Sequence, residues 1–297
     1  LLELNRARDL PTKVVDVAAI YDLFGHGRLD PRAIREYLAY TALNWPGGAP
    51  DYLLLVGDCT SDYLGRLRQE VPNLLPSYTY RYGNDRWASD AWLGTFCGRD
   101  DLADTMVGRW SVASVEDALA VAAKTAQYAR ERPLGPWRMR MAYVADESEG
   151  FRDAAETLRR DHTPVPFAGR RIYLDEMPLE DNWYIPDSYI ERVLAEQGEL
   201  LKVSGAATQT IKESLDAGLA LYCEKPLCHD VWTDERIWFG GGSPNRDSLH
   251  LEPAGGRYPF IANYTCNTGA VDYPLRPWNI CISEDLMREP RRGAIGM

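Results

Sequence analysis

A thiol and an imidazole, each placed just beyond a predicted strand, are the side chains of this sequence best suited to nucleophilic chemistry. The segment YPFIANYTC, residues 258–266, has the pattern of a buried strand and ends at Cys266, where Asn-Thr-Gly interrupts it. The segment LALYC, residues 219–223, predicts another strand, and His229 follows it. Because parallel strands lie ~4.8 Å apart and their carboxyl ends share one edge of a sheet, we expect the two side chains to converge on one crevice. There the histidine would accept the thiol proton and later protonate a leaving amine.

Both residues also have plainer interpretations. Cys266 resembles any small buried apolar side chain, and His229 resembles a surface-loop histidine, although the strand-end position of Cys266 favours a reactive role. Cys223 and Cys228, together with His229, raise the alternatives of a metal site or a small disulfide. The metal alternative lacks the paired CxxC spacing of a zinc site, and the disulfide requires export from the cell. The Asn-Tyr-Thr at 263–265 matches a glycosylation acceptor but lies in a strand predicted to be buried, so we do not expect modification there.

Composition and charge exclude several classes of protein. The formal net charge of -11 disfavours a nucleic-acid partner, which needs a basic surface. The sequence contains no run of ~18 apolar residues, so it predicts no membrane span. The sequence also has no glycine-rich phosphate loop, so an α/β enzyme that acts on a small molecule lacks support. Six scattered cysteines are too few for a disulfide-built scaffold. We expect a globular protein that requires no cofactor.

The elements that must position these residues alternate between helix and strand, which predicts a mostly parallel α/β sheet. The run DYLLLVGD is continuously apolar and predicts a strand buried on both faces. The stretch 162–188 shows no regular pattern and is interpreted as irregular. Strands are predicted at Lys13–Val17, 51–58, 103–110, 138–146, 219–223 and 258–266, and helices at 31–45, 114–131, 149–161 and 204–218.

Two prolines and a glycine in RPLGPW, residues 132–137, mark the best boundary in the chain. We therefore predict an N-terminal α/β subdomain over 1–134 and a C-terminal catalytic α/β subdomain over 135–297. The first residues read like the middle of a domain, and the last ones read like the start of a strand. We expect the chain to be a fragment whose second subdomain is truncated at its end, and whose exposed sheet edges reduce its solubility.

Several stretches resemble, in the same order, the gingipain-like cysteine peptidases, which are relatives of the caspases. They include VVDVAAIYDLFGHGRLDPRAIREYLAYTALNW, PDYLLLVGDCTSDY, DTMVGRWSVASVEDALAVAAKTAQY, ATQTIKESLDAGLALY, YPFIANYTCNTGAVDYP and NICISEDLMREPRRGAIG. The resemblance covers nearly the whole chain. It implies a caspase-like fold, a mostly parallel sheet flanked by helices in two subdomains. It also implies a cysteine endopeptidase that acts on peptide or protein substrates, a secreted or cell-surface location, and other domains in a longer chain.

The resemblance assigns roles to individual residues. Cys266, in TCNTG, corresponds to the nucleophile, and His229 is the available base. The oxyanion hole would use the backbone N–H groups of Cys266 and Asp230. Asp153, with Glu149 as the second choice, matches the acid that selects arginine or lysine in some family members. Both acids also fit an ordinary helix start, where carboxylates favour the helix dipole.

One motif departs from the family pattern. The family writes its histidine as Gly-His-Gly, and here that triplet falls on Glu224, Lys225 and Pro226. Either the loop is rearranged and His229 serves as the base, or this copy is a catalytically inactive module with a binding or structural role. Lys225 is a poor general base because its reference pKa is ~10.4, and Pro226 has no N–H to donate.

Structural calcium is common in the family, and the acidic loop CGRDDLAD is where the sequence offers carboxylates for it. The loop does not show recognisable spacing for a calcium ligand set. Calcium is therefore an expectation that the resemblance alone carries.

Overall fold

The computed structural model divides the chain into two compact units, and the division along the chain first falls between Leu119 of the first unit and Ala120 of the second. This division falls within a helix, Val115–Glu131, rather than after it. The boundary predicted at Leu134 stays a prediction. The structure describes residues 2–63, 66, 73–83, 85–100, 102–131, 133–145, 149–173, 176, 180–182, 201–203, 205–224, 235–236, 256–264, 282–291 and 294.

The first unit packs two of its helices and a parallel strand pair around one core. Asp30 caps the longest helix by accepting a hydrogen bond from the Arg32 amide, and Pro31 fits the first helical position. Buried side chains of two helices meet Leu55 and Leu93. The elements are α1 (Leu2–Arg6), α2 (Val17–Phe24), α3 (Pro31–Asn44), β1 (Tyr52–Val56), β2 (Tyr78–Tyr82), β3 (Asp85–Ser89) and β4 (Met106–Trp110), with β1 parallel to β4 and β2 antiparallel to β3.

Two sequence predictions for the first unit are wrong. The predicted strand Lys13–Val17 is irregular up to Asp16, whose side chain caps α2 by accepting a hydrogen bond from the Ala18 amide. Val14 is 74% exposed, so the apolar run that predicted the strand is not buried. Strand β1 exists as predicted but is not buried on both faces, because Tyr52 and the other alternate residues of the strand face solvent.

The second unit contains a four-stranded parallel sheet with a core on each face. Its order is β11–β9–β5–β6. Side chains of β5 alternate between the two cores: Ala142 and Val144 pack on one face, and Tyr143 and Ala145 on the other. The elements are α4 (Val115–Glu131), β5 (Arg140–Ala145), α5 (Glu149–Thr157), β6 (Ala168–Tyr173), β7 (Glu180–Asn182), β8 (Leu201–Val203), α6 (Gly205–Asp216), β9 (Ala220–Glu224), β10 (Glu235–Arg236), β11 (Ile261–Tyr264) and α7 (Ile282–Arg288).

Strand β6 corrects the prediction that residues 162–188 are irregular. Its first four residues are exposed and include Gly169, Arg170 and Arg171. Only Ile172 and Tyr173 are buried, so the segment lacks both an apolar run and an alternating pattern.

Other predicted elements are confirmed within four residues at their ends. Helix α4 begins with a capping box, since Ser114 Oγ accepts from the Asp117 amide and Asp117 accepts from the Ser114 amide. Helix α6 is followed by Gly218, whose φ of 78° suits a residue without Cβ. The predicted α/β class is confirmed, whereas the caspase-like arrangement stays a prediction.

A buried lysine joins two helices of the second unit. Lys124, in α4, donates hydrogen bonds to the carbonyl oxygens of Leu286, Met287 and Glu289 at the carboxyl end of α7. Burial lowers the pKa of Lys124 to about 7, although the nearby charge of Glu289 acts in the opposite direction. The cation thus sits where the helix dipole favours positive charge.

Candidate active site

The four parallel strands of the second unit end in a single row. Tyr264 of β11 is the register partner of Glu224 of β9, and Glu224 is the partner of Ala145 of β5. Ala145 is in turn the partner of Tyr173, the last residue of β6. The chain therefore leaves this sheet from one edge, the place where open α/β sheets carry their sites.

Two of the segments that leave this row lead to the predicted catalytic residues. Cys266 lies two residues beyond Tyr264, and His229 lies five residues beyond Glu224. Cys266, His229 and Asp230 lie outside the described residues. Lys225 and Pro226, which stand where the family has the last two residues of Gly-His-Gly, also lie outside them. The pairing of thiol with imidazole and the oxyanion hole stay predictions.

The helix that carries the predicted specificity acids leaves from the same row. Strand β5 ends at Ala145, and α5 begins at Glu149. Asp153 lies one turn further along and is exposed to solvent. The described residues do not place either acid beside the cysteine, so their role in substrate selection also stays a prediction.

Three side chains that the sequence analysis did not single out anchor α5 to the sheet. Glu156 accepts hydrogen bonds of 2.9 Å from both Tyr173 Oη and Arg159 Nε. The Arg159 hydrogen bond lowers the pKa of Glu156 to about 2. Burial, followed by the Glu156 hydrogen bond, raises the pKa of Tyr173. The three-residue spacing of Glu156 and Arg159 on a helix was the one signal in the sequence.

The strand ends of the first unit carry a different arrangement. Asp58, 1% exposed, follows β1 and accepts hydrogen bonds from the Cys59 amide and from Ser111 Oγ. Arg109 of β4 forms two hydrogen bonds with Asp90 and also donates to the carbonyl oxygens of residues 57 and 75. These polar groups bind one another, so the network holds loops in place.

The pKa of Arg109 follows from two opposing effects. Burial is the largest single effect and disfavours the charged form, but the hydrogen bond to Asp90 and the nearby charges, Asp90 and Asp58 among them, together outweigh burial, and the pKa is raised. The guanidinium is therefore a permanent buried cation that depends on its carboxylate partner.

The acidic loop expected to bind calcium uses at least one carboxylate for its own closure. Asp104 Oδ2 accepts hydrogen bonds of 2.7 Å from the Phe96 and Cys97 amides. Among the described residues, no group of three or more His, Cys, Asp or Glu side chains is arranged to hold a metal ion. Calcium binding therefore stays a prediction.

A membrane span is the other feature that can be tested on the helices. In the described parts of the chain, no helix has both the length and the apolar character needed to cross a bilayer.

Helices that cover both faces of a parallel sheet define an α/β protein, and the solved structures include a protease of this kind. That structure, described as "Structure of Protease", has a TM-score of 0.57 and 13% sequence identity to this chain. The match covers 90% of this chain and 50% of the solved one, so the chain spans half the length of that protease. At this identity the likeness concerns the fold. No curated protein matches the chain.

The family is established by a match over residues 1–297 to Peptidase family C25, the gingipain family. The chain belongs to this family. Membership confirms the predicted family relationship.

Proposed function

We propose that the chain is a cysteine endopeptidase domain that hydrolyses peptide bonds through an acyl-enzyme on Cys266, with His229 as general base. The observation that supports this proposal best is the register of β11 with β9, in which Tyr264 and Glu224 are partners. The segments leading to Cys266 and His229 therefore start from adjacent strand ends, ~4.8 Å apart. Family membership supplies the reaction class.

The proposed reaction proceeds in two halves. His229 removes the proton from Cys266 Sγ, which attacks the scissile carbonyl carbon to form a tetrahedral oxyanion. The backbone N–H groups of Cys266 and Asp230 donate to this oxyanion. When the C–N bond breaks, the imidazolium gives its proton to the leaving amine. Water, deprotonated by His229, then hydrolyses the thioester and restores the free thiol.

The expected preference is for arginine or lysine on the carboxyl-donating side of the cleaved bond. Asp153, or Glu149 as the second choice, would pair with that side chain, since α5 begins just beyond the row of strand ends. A charge-assisted hydrogen bond is worth ~1.5–3 kcal/mol, which is roughly a 10- to 100-fold preference. Cleavage of a peptide library tests this assignment. Asp153→Asn should remove the preference for arginine and lysine, and equal cleavage after apolar residues by the native protein would overturn the assignment.

A peptidyl warhead that reacts with thiols tests the nucleophile directly. Because Cys97 is a free, exposed cysteine, Cys97→Ala provides the matched control. We expect Cys97→Ala to keep both labelling and turnover, and Cys266→Ala to lose both. His229→Ala should lower turnover by ~10²–10⁴-fold, the usual contribution of general acid–base catalysis. Labelling that survives Cys266→Ala would exclude this cysteine as the nucleophile.

The second candidate function is an inactive module with a binding or structural role. The observation that favours it is Glu224-Lys225-Pro226 in place of Gly-His-Gly. The triple change Glu224→Gly, Lys225→His and Pro226→Gly restores the family pattern. If the native chain shows neither labelling nor turnover while the restored chain shows both, the inactive module is the correct reading.

Family likeness also leads us to propose a secreted or cell-surface location and further domains in a longer chain. Detection of the protein in the culture medium or on intact cells tests the location. Recovery only from the cell interior would contradict it.

A further inference from the structure

A cavity of about 310 Å³ opens in the second unit, at the opposite edge of the sheet from the row of strand ends. It lies among the first residues of β5 and β6 and the end of α6. Arg140 is the first residue of β5 and is the register partner of Ala168, the first residue of β6. The cavity therefore belongs to the amino ends of the strands and is separate from the proposed catalytic edge.

Two arginines give this cavity its charge. Arg170 is the register partner of Ala142, two residues beyond Arg140, so both arginines project from the same face of adjacent strands. Both are exposed, and within the described residues neither guanidinium has a hydrogen bond or an ion pair. By contrast, Arg159 and Arg171, from the same region, pair with acids.

The remaining polar groups at the cavity do not cancel this charge. Glu213 is the one acid in the lining, and its carboxylate accepts a hydrogen bond from Gln209. The amides of residues 217–219 donate to the carbonyl oxygens of residues 213–215. The last carbonyls of α6 are thus already bonded, which reduces the negative potential that a helix end presents.

The lining between the arginines and α6 is mostly apolar. Ala168, Ala217 and Leu219 contribute to it, and Leu219 is only 6% exposed because it also belongs to the core. The volume lies at the lower end of the range for small-molecule sites. A ligand that fits both features has a short apolar group next to a negative charge.

We propose that this cavity binds the free C-terminal carboxylate of a peptide whose last residue is apolar. The planar guanidinium forks of Arg140 and Arg170 match a carboxylate, and the apolar lining accepts the terminal side chain. The site does not depend on the proposed catalysis. It gives the domain a second place to hold a peptide, one that recognises a chain end and ignores internal segments.

Calorimetric titration of the 297-residue chain with N-acetyl-Ala-Leu and with its C-terminal amide tests the proposal. The acid should bind at least ~10-fold more tightly than the amide, since only the acid offers a charged partner to the arginines. Equal affinities, or no binding of the acid up to ~10 mM, would overturn the proposal.

Variants and a second ligand sharpen the test. Arg140→Gln and Arg170→Gln should each weaken binding of the acid by ~10-fold, whereas Arg86→Gln, an exposed arginine of β3, should leave it unchanged. A melting curve for each variant separates lost binding from lost folding. Hexanoate distinguishes the source of the carboxylate: weaker binding than the dipeptide supports a peptide terminus, and equal binding would assign the cavity to free small acids.

Discussion

The two units use the carboxyl ends of their parallel strands in opposite ways. Beyond β1 and β4 of the first unit, Asp58 and Ser111 form a buried network of polar groups to which Arg109 of β4 also contributes. Beyond β9 and β11 of the second unit, the chain enters the polar segments that contain the proposed catalytic residues. The carboxyl ends of parallel strands are therefore occupied by internal hydrogen bonds in the first unit. In the second unit they lead to the proposed catalytic residues.

The units also stabilise buried cations differently. Arg109, with 5% of its side chain exposed, has a carboxylate partner in Asp90. Lys124, 2% exposed, donates to three backbone carbonyls. The pKa of the arginine is raised against the effect of burial by its partner and other nearby charges, and that of the lysine is lowered by burial. The difference predicts that removing the partner of Arg109 destabilises the protein. It also predicts that the contribution of Lys124 to stability depends on pH.

The largest expected change in stability is for Asp90→Ala. Removing the carboxylate leaves the buried Arg109 charge without its partner, which should lower the free energy of unfolding by about 3–5 kcal/mol. Urea denaturation measures the loss, and Asp22→Ala, an exposed acid of α2, should cost less than about 0.5 kcal/mol. Adding Arg109→Met to Asp90→Ala should recover much of the loss. A cost below ~1 kcal/mol for Asp90→Ala would contradict this account of the network.

The next effect is the pH response of Lys124. Its pKa is lowered from 10.5 to about 7 on folding, so between these values the unfolded chain binds more protons than the folded one. Stability should therefore rise with pH from about 7 to 10, by up to roughly 4 kcal/mol, relative to Lys124→Met. Thermal or urea unfolding of both proteins across this range measures the difference. If the difference in the free energy of unfolding between the two proteins does not change with pH, the carbonyl acceptors offset the cost of burying the Lys124 charge.

A matched pair of valines compares the two sheets directly. Val144 of β5 is 0% exposed and Val56 of β1 is 47% exposed. Val144→Ala should cost about 2 kcal/mol from lost apolar burial and the cavity it leaves. The same substitution at Val56 should stay within about 0.5 kcal/mol. Equal costs in urea denaturation would mean that the outer face of β1 is covered in solution.

The smallest expected effect concerns the anchor of α5. Glu156→Gln should cost about 1 kcal/mol near neutral pH, since the side chain is 28% exposed and solvent weakens its ion pair. Because folding lowers the pKa of Glu156 to about 2, the native protein should lose this contribution as pH falls from about 5 towards 2. The variant should lack that slope. A pH dependence identical in both proteins would exclude Glu156 as its source.

Strong local signals allowed most of the fold to be predicted from the sequence. Pro31, Ser114 and Gly218 are residue types that favour helix ends, and the structure places each of them at the end of a helix. Strand β6 escaped because four of its six residues are exposed, so hydrogen bonds to β5 define it where apolar patterning does not. The strand predicted over Lys13–Val17 is wrong because its β-branched residues favour a strand, whereas Val14 is exposed to solvent.

Less of the candidate site than of the fold could be predicted from the sequence. Alternating helices and strands were enough to predict that several strands end at one edge, and the register of β11, β9, β5 and β6 bears this out. The Glu156 anchor required a contact between a helix and a distant strand, which spacing along one helix does not report. The pairing of Cys266 with His229 depends on two loops whose paths no periodicity constrains.

The contacts of Lys124 also constrain how the protein is made. Its carbonyl partners lie 162 to 165 positions later in the chain. A ribosome delivers about 5–20 residues each second, so α4 exists for roughly ten to thirty seconds before α7 has been synthesised. During that time the lysine has no helix end to cap and stays in water, since burying an unpaired ammonium is costly. The second unit can bury Lys124 against its carbonyl partners only when α7 has left the ribosome.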